Sequence, residues 1–191
     1  MKNPPLQTRT ITAVPLTREE NGKKYIDCKF ATFEGVYEMF PGCTESVDRH
    51  AFDDQLKGDV RCLIDHLTHL VLGRTVAGTL RLWVDERGLW GTVEINEDDQ
   101  DAMNLYARVK RGDVNQCSFG FEILEEREEA QPDGAVHYVL VRVRLYEVSI
   151  VTFPAYEDTA AAARKRDVAA LRKRQAEAWQ AKMKARLRKQ C

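Results

Sequence analysis

From Cys117 the chain alternates with a period of two: Cys117, Phe119, Phe121 and Ile123 are apolar, with Ser118, Gly120 and Glu122 between them. That period describes a strand with one face against a core. It sets Ser118 beside Gly120 on the opposite face. A glycine inside a strand costs stability unless something must approach the backbone there, and a substrate chain would be one such thing. Gly112-Asp113 supplies the turn that feeds this strand, which is predicted to run to about Leu124. The same period recurs downstream in a long strand region, Val136 to Phe153, that stops at Pro154. There Val139, Val141, Val143 and Leu145 share a face that Glu147 continues, while Arg142 and Arg144 point the other way. It recurs upstream in Val60, Cys62 and Ile64, whose apolar face ends in His66.

The remaining segments are punctuated by turn residues. Thr10 to Leu16 reads as a first strand ended by its proline, and Asn21-Gly22 is a strong hairpin signal. Tyr25 to Glu38 reads as strand with Gly35 as a bulge, Pro41 to Asp48 as loop, and His50 to Leu56 as a short helix ended by Lys57-Gly58. Thr79–Val84 and Leu89–Ile95 form a hairpin across Asp85-Glu86-Arg87-Gly88. The period then lengthens: Ala102, Leu105, Tyr106 and Val109 fall on one stripe of a helix over 101–111, with Arg108, Lys110 and Arg111 at its C-terminal end and Gly112 closing it. Glu125 to Gly134 reads as a charged loop. From Thr159 the chain is rich in Ala, Arg, Lys and Gln, a helix-favouring composition in which Val168, Leu171, Trp179, Met183 and Leu187 lie close to one stripe.

Charge changes this picture more than size does. The formal net charge is −1, yet residues 159–191 carry eleven Lys/Arg against two Asp/Glu, and residues 1–158 carry 18 against 28. An acidic body, 1–158, therefore carries a basic helical tail, 159–191. The bland account of the tail is a solvated helix. The sharper one is a docking helix for an anionic or assembly surface, and nucleic-acid binding without base reading ranks last. With 191 residues, 43% hydrophobic and 31% charged, the chain has the composition of a soluble globular protein of one domain plus an appendage. No apolar run is long enough for a membrane helix, and Met1 to Pro5 leads into no apolar stretch, so neither a membrane partner nor a signal peptide is expected. Five scattered cysteines (28, 43, 62, 117 and 191) point to reduced thiols in a cytosolic setting.

The residues suggest acyl-transfer chemistry. A serine hydroxyl needs a base to take its proton, and imidazole held by a carboxylate does so near neutral pH. Only Ser46, Ser118 and Ser149 are present. Ser46 sits in a turn-like Cys-Thr-Glu-Ser stretch, and Ser149 follows Glu147 on the same strand face, so Ser118 is the best nucleophile. His66 is the candidate base and Glu147 the candidate third member, with His69 as the other contender for that role. A carboxylate ending an apolar face needs a charged or hydrogen-bonded partner, and His66 also ends such a face. Cys117 alternates onto the phenylalanine face, where a thiol is unreactive. A rival reading takes Cys62, His66 and His69 as metal ligands, since they would share a helix face at i, i+4, i+7; the β-like neighbours oppose that helix. No cofactor is expected, and no residue is assigned to an oxyanion hole.

Several stretches, in order, resemble the tailed-phage prohead proteases, the serine proteases of capsid maturation. They are the histidine strand with His66, Leu72-Gly73-Arg74-Thr75, Arg87-Gly88-Leu89, Arg111-Gly112-Asp113, Ser118-Phe119-Gly120-Phe121, and Glu147-Val148-Ser149 followed by Pro154-Ala155. The resemblance covers about residues 30 to 158. Leu67 departs from the polar or acidic residue the pattern has after the histidine. The resemblance implies an α+β fold, mainly antiparallel β, as a closed β-barrel with a few surrounding helices like the herpesvirus capsid proteases, plus the C-terminal helix. It also implies a serine endopeptidase using Ser118, His66 and Glu147. Its partners would be the phage major capsid protein and its scaffold segment, the protease itself, and further copies of the chain. It would act inside the immature capsid in the host cytoplasm. The alternative is an inactive assembly factor of the same fold that binds coat or scaffold through its tail.

Overall fold

A computed structural model describes residues 6–11, 14–131, 135–153, 165–170, 173–174, 176–177 and 180. Eleven strands and one α-helix carry the described body. In chain order they are β1 (Gln7–Ile11), β2 (Leu16–Glu20), β3 (Lys23–Thr32), β4 (Tyr37–Phe40), β5 (Cys43–Val47), β6 (Arg61–Ile64), β7 (Leu67–Arg74), β8 (Leu80–Asp85), β9 (Gly88–Glu94), α1 (Gln100–Arg111), β10 (Gln116–Ala130) and β11 (Val136–Val151). One sheet runs β1-β10-β11-β5-β4, with β6 also paired to β11 and β7 to β6; the second runs β2-β3-β9-β8.

The closed barrel is not what forms. Neither sheet closes on itself, so the architecture is two packed open sheets. The reason lies in β11. One edge pairs with β10 over nearly its whole length. The other edge is shared by two parallel partners, β5 along Val136–Leu140 and β6 along Glu147–Ile150. The sheet forks there instead of curling round, and among the described residues no ladder joins the outer strands into a ring. β3 packs against β1 and β10 without pairing to them. Ile26, Cys28 and Phe30 thereby meet Cys117, Phe119 and Phe121 in one core.

Local signals fare better. Asn21-Gly22 makes a two-residue turn with φ of 52° and 76°, as the mirror-image hairpin turn requires. The β8–β9 hairpin turns at Glu86-Arg87, with Asp85 Oδ1 accepting from the N–H groups of Arg87 and Gly88. In α1 the residues buried are Ala102, Leu105, Tyr106 and Val109; Asp99 caps the start and Gly112, at φ 87°, the end. Other boundaries move. The first strand ends at Ile11, and Leu16 opens the next. β3 stops at Thr32, because Gly35 at φ 140° lets the chain leave one sheet and enter the other at β4. Residues 43–47, read as loop, are β5. Residues 50–58 are successive i→i+3 turns rather than a helix. Most of the expected charged loop after Glu125 is strand, because Glu125 to Ala130 pair with Arg142 to Val136. In the basic tail the described residues are helical, and Val168 is buried against Cys43, Val136 and Tyr138. Leu171, Trp179, Met183 and Leu187 lie outside the described residues.

Candidate active site

β6 and β7 are joined by two residues, Asp65 and His66, at φ 48° and 61°. Left-handed backbone costs an ordinary residue roughly 1–2 kcal/mol, least for short polar side chains. Asp65 has compensation. Its N–H donates to the Ile150 carbonyl (3.0 Å), and its carboxylate accepts from Thr152 N–H (2.6 Å) and Oγ1 (3.1 Å). The turn is thereby pinned to the end of β11, so His66 is presented by a clamped tip rather than a free loop.

His66 Nδ1 is 2.7 Å from Glu147 Oε1. The two are 81 residues apart, with side-chain exposures of 21% and 6%, so the pair is largely screened from water but reachable. A carboxylate can only accept, so Nδ1–H is the donor in this bond, and a neutral imidazole so held carries its lone pair on Nε2. Nε2 is buried and has no hydrogen-bond partner among the described residues. The other carboxylate oxygen, Oε2, accepts from Ser149 Oγ at 2.5 Å.

Glu147 does not continue the Val139-to-Leu145 face as the alternation suggests. On β11 the core takes Leu140, then Val143 and Leu145, then Val148 and Ile150, so the expected Val139-to-Leu145 face is already interrupted at Val141, where the ladder is irregular between Ile123 and Glu126. The parity changes at an irregularity in the ladder opposite Gly120 and Phe121. That shift turns Glu147 onto the face that holds Ser149. Gly120, its partner on β10, is explained at the same stroke: a Cβ there would collide with Glu147 Oε1 and lie 2.9 Å from Cδ. The close approach that makes glycine necessary is the carboxylate rather than a substrate chain.

Ser118 stands directly opposite Ser149 on one side and Thr10 on the other. It is fully buried, and its Oγ donates to the Arg9 carbonyl at 3.0 Å. The geometry thus unites His66, Glu147 and Ser149 by hydrogen bonds. It sets Ser118 on the neighbouring strand with its hydroxyl engaged by β1. A concavity of about 590 Å³, lined by Phe33, Val47, His50 and Arg87 among others, shares no residue with this group.

The sequence reading missed Arg9 and Glu45. Their side chains, 1% and 0% exposed, form a two-pronged ion pair, Nε to Oε1 at 2.5 Å and Nη2 to Oε2 at 2.9 Å, with the guanidinium 5.3 Å from the centre of the Phe121 ring. The pair anchors β1, whose backbone meets Ser118. In the structure Cys43, Glu45 and Val47 alternate as the buried positions of β5, a stretch the sequence reads as loop.

The competing sites do not assemble. Residues 61–74 are a hairpin, so i, i+4, i+7 spacing brings nothing together; Cys62 faces the core and His69 is exposed. Among the described residues no cluster of His, Cys, Asp or Glu could hold a metal ion. Burial pushes the Cys62 and Cys28 thiols well above their ordinary range. Cys117 is fully buried on the phenylalanine side, as its alternation indicates. At the far end of the β6–β7 hairpin, hydrogen bonds from Arg74 hold the Asp59 carboxyl below its usual range, with Arg61 adding to the effect.

An imidazole hydrogen-bonded to a buried carboxylate is an arrangement that can hold a general base for acyl transfer. The chain belongs to the caudovirus prohead serine protease family, whose model matches residues 12–174. It is 28% identical over 142 residues to the prohead protease of Enterobacteria phage HK97; the match takes in 73% of this chain and 62% of that protein's length. The bacteriophage T4 capsid assembly protease gp21 is similar in fold, with a TM-score of 0.50 at 13% identity, covering 80% of this chain and 100% of that one.

Proposed function

We propose that this chain is a prohead maturation protease: a serine endopeptidase that cleaves scaffold and coat-protein segments, and itself, inside an immature phage capsid in the host cell. Membership of a serine-protease family supports the reaction class. The observation that carries the assignment of residues is the His66–Glu147 bond at Nδ1, which leaves Nε2 as the ring nitrogen to act as base.

In this reading Ser118 swings off the Arg9 carbonyl toward His66. Nε2 takes the hydroxyl proton as Oγ attacks the scissile carbonyl, and the imidazolium is stabilised by Glu147. The imidazolium then gives that proton to the departing amine, and water repeats the sequence on the acyl-enzyme. Two measurements test it. A fluorophosphonate should label the wild type and spare Ser118→Ala. Co-expression with the neighbouring capsid gene should give cleaved products that Ser118→Ala lacks. Undiminished cleavage by that variant rejects the assignment.

The basic tail is the delivery element in this proposal. Its support is the charge split between residues 159–191 and the acidic body. A chain truncated after Asp158 should still hydrolyse peptides but enter proheads poorly. Normal packaging of the truncated chain rejects that role.

A further inference from the structure

We infer that Ser149 is a positioning residue of the catalytic apparatus: its hydroxyl locks the plane of the Glu147 carboxylate so that the other oxygen faces His66. This deepens the Ser118–His66–Glu147 reading and rests on it. A glutamate hydrogen-bonded at one oxygen is still free to turn, because its last torsion is broad and roughly two-fold. Gly120 beneath the carboxylate makes room for it but, having no side chain, offers no hydrogen bond that would fix its plane. His66 holds Oε1 only. The second hold is at Oε2, where Ser149 donates over 2.5 Å, within the range of a hydroxyl bonded to an ionised carboxylate. Ser149 is fully buried, so water does not compete for the hydroxyl. Its place follows from strand geometry: two residues beyond Glu147 is the same face of β11. The three groups therefore form a line, Ser149 Oγ–H to Oε2 and His66 Nδ1–H to Oε1, with the carboxylate fixed from both sides.

A positioning role predicts a loss in turnover rather than in affinity. Ser149→Ala should lower kcat for a peptide substrate by about 10- to 100-fold, the range for one hydrogen bond to a charged group, with KM changed less than about twofold. Ser149→Thr, which keeps the hydroxyl, should stay within several-fold of wild type, and Ser149→Cys, a weak donor, should fall between. A second measurement does not depend on which hydroxyl attacks. In the Ser118→Ala chain, the His66 Nδ1 proton should resonate far downfield through its bond to Glu147. Adding Ser149→Ala should shift or broaden that resonance while the melting temperature moves little. An unchanged kcat and an unchanged resonance in the Ser149→Ala chains overturn the inference, as does a loss that appears in KM alone. Failure of the Ser118 assignment would show separately, as cleavage retained by Ser118→Ala.

Discussion

The two faces of the β10–β11 pair are equally dry and held in opposite ways. On one, Cys117, Phe119 and Phe121 meet Val148 and Ile150 in the main core, where each contact is weak and the sum is large. On the other, Ser118, Ser149 and Glu147 are all buried, and every polar group there must be satisfied one bond at a time. Loss of a core side chain opens a cavity that costs stability. Loss of a member of the polar face leaves its neighbour unpaired and changes the chemistry. One ladder thus separates stability from function by residue parity.

The largest effect should come from the polar face. Glu147→Gln keeps the shape but favours the wrong imidazole tautomer, so kcat should fall by about 10⁴-fold while peptide binding barely changes. His69→Ala, at an exposed position, should cleave at close to the wild-type rate. If steady-state assays find the reverse, the third member is His69. Next comes the apolar face. Phe119→Ala removes a ring stacked on Phe121 at 4.8 Å and edge-on to Phe52 at 5.4 Å. It should cost about 3–5 kcal/mol in denaturant unfolding, with kcat per folded molecule nearly kept at low temperature. A kcat loss matching that of Glu147→Gln would show that the faces are not separable. The smallest effect tests the seam between them. Gly120→Ala places a methyl against the Glu147 carboxylate and should lower kcat by about 100-fold through its displacement, with only a modest fall in melting temperature. Wild-type activity in that variant would mean that the carboxylate position does not matter.

Much of this site was legible in the chain because its signals are local. The Ser118/Gly120 face and the strand carrying Glu147 are statements about neighbours two residues apart, and strand geometry enforces them; the apolar face expected to end in His66 stops at Ile64, and His66 stands in the turn beyond it. Where the chain departs from strict alternation, the reading slips. Glu147 lies on the other face from Leu145 because of one irregularity opposite Gly120, which the pattern Val143, Leu145, Glu147 does not betray. Arg9 and Glu45 were invisible for a different reason: each is unremarkable alone, and only their meeting across 36 residues makes them a buried pair.

The sequence by itself determined the period of the Cys117–Ile123 stretch, the Asn21-Gly22 turn and the turn after Asp85, the helix over 101–111 closed by Gly112, and, together with the family resemblance, the serine and histidine worth testing. Each depends on backbone preferences and spacing within a few residues. Only the tertiary structure decided that the sheets stay open, because closure depends on which strands share the edges of β11. It alone decided that an Asp65-His66 turn in left-handed backbone swings His66 back onto Glu147. It also decided that Ser149 holds the far side of the carboxylate and that the Ser118 hydroxyl rests on the Arg9 carbonyl. These are choices of partner between distant segments, set by burial and register over the whole molecule, and no local period encodes them.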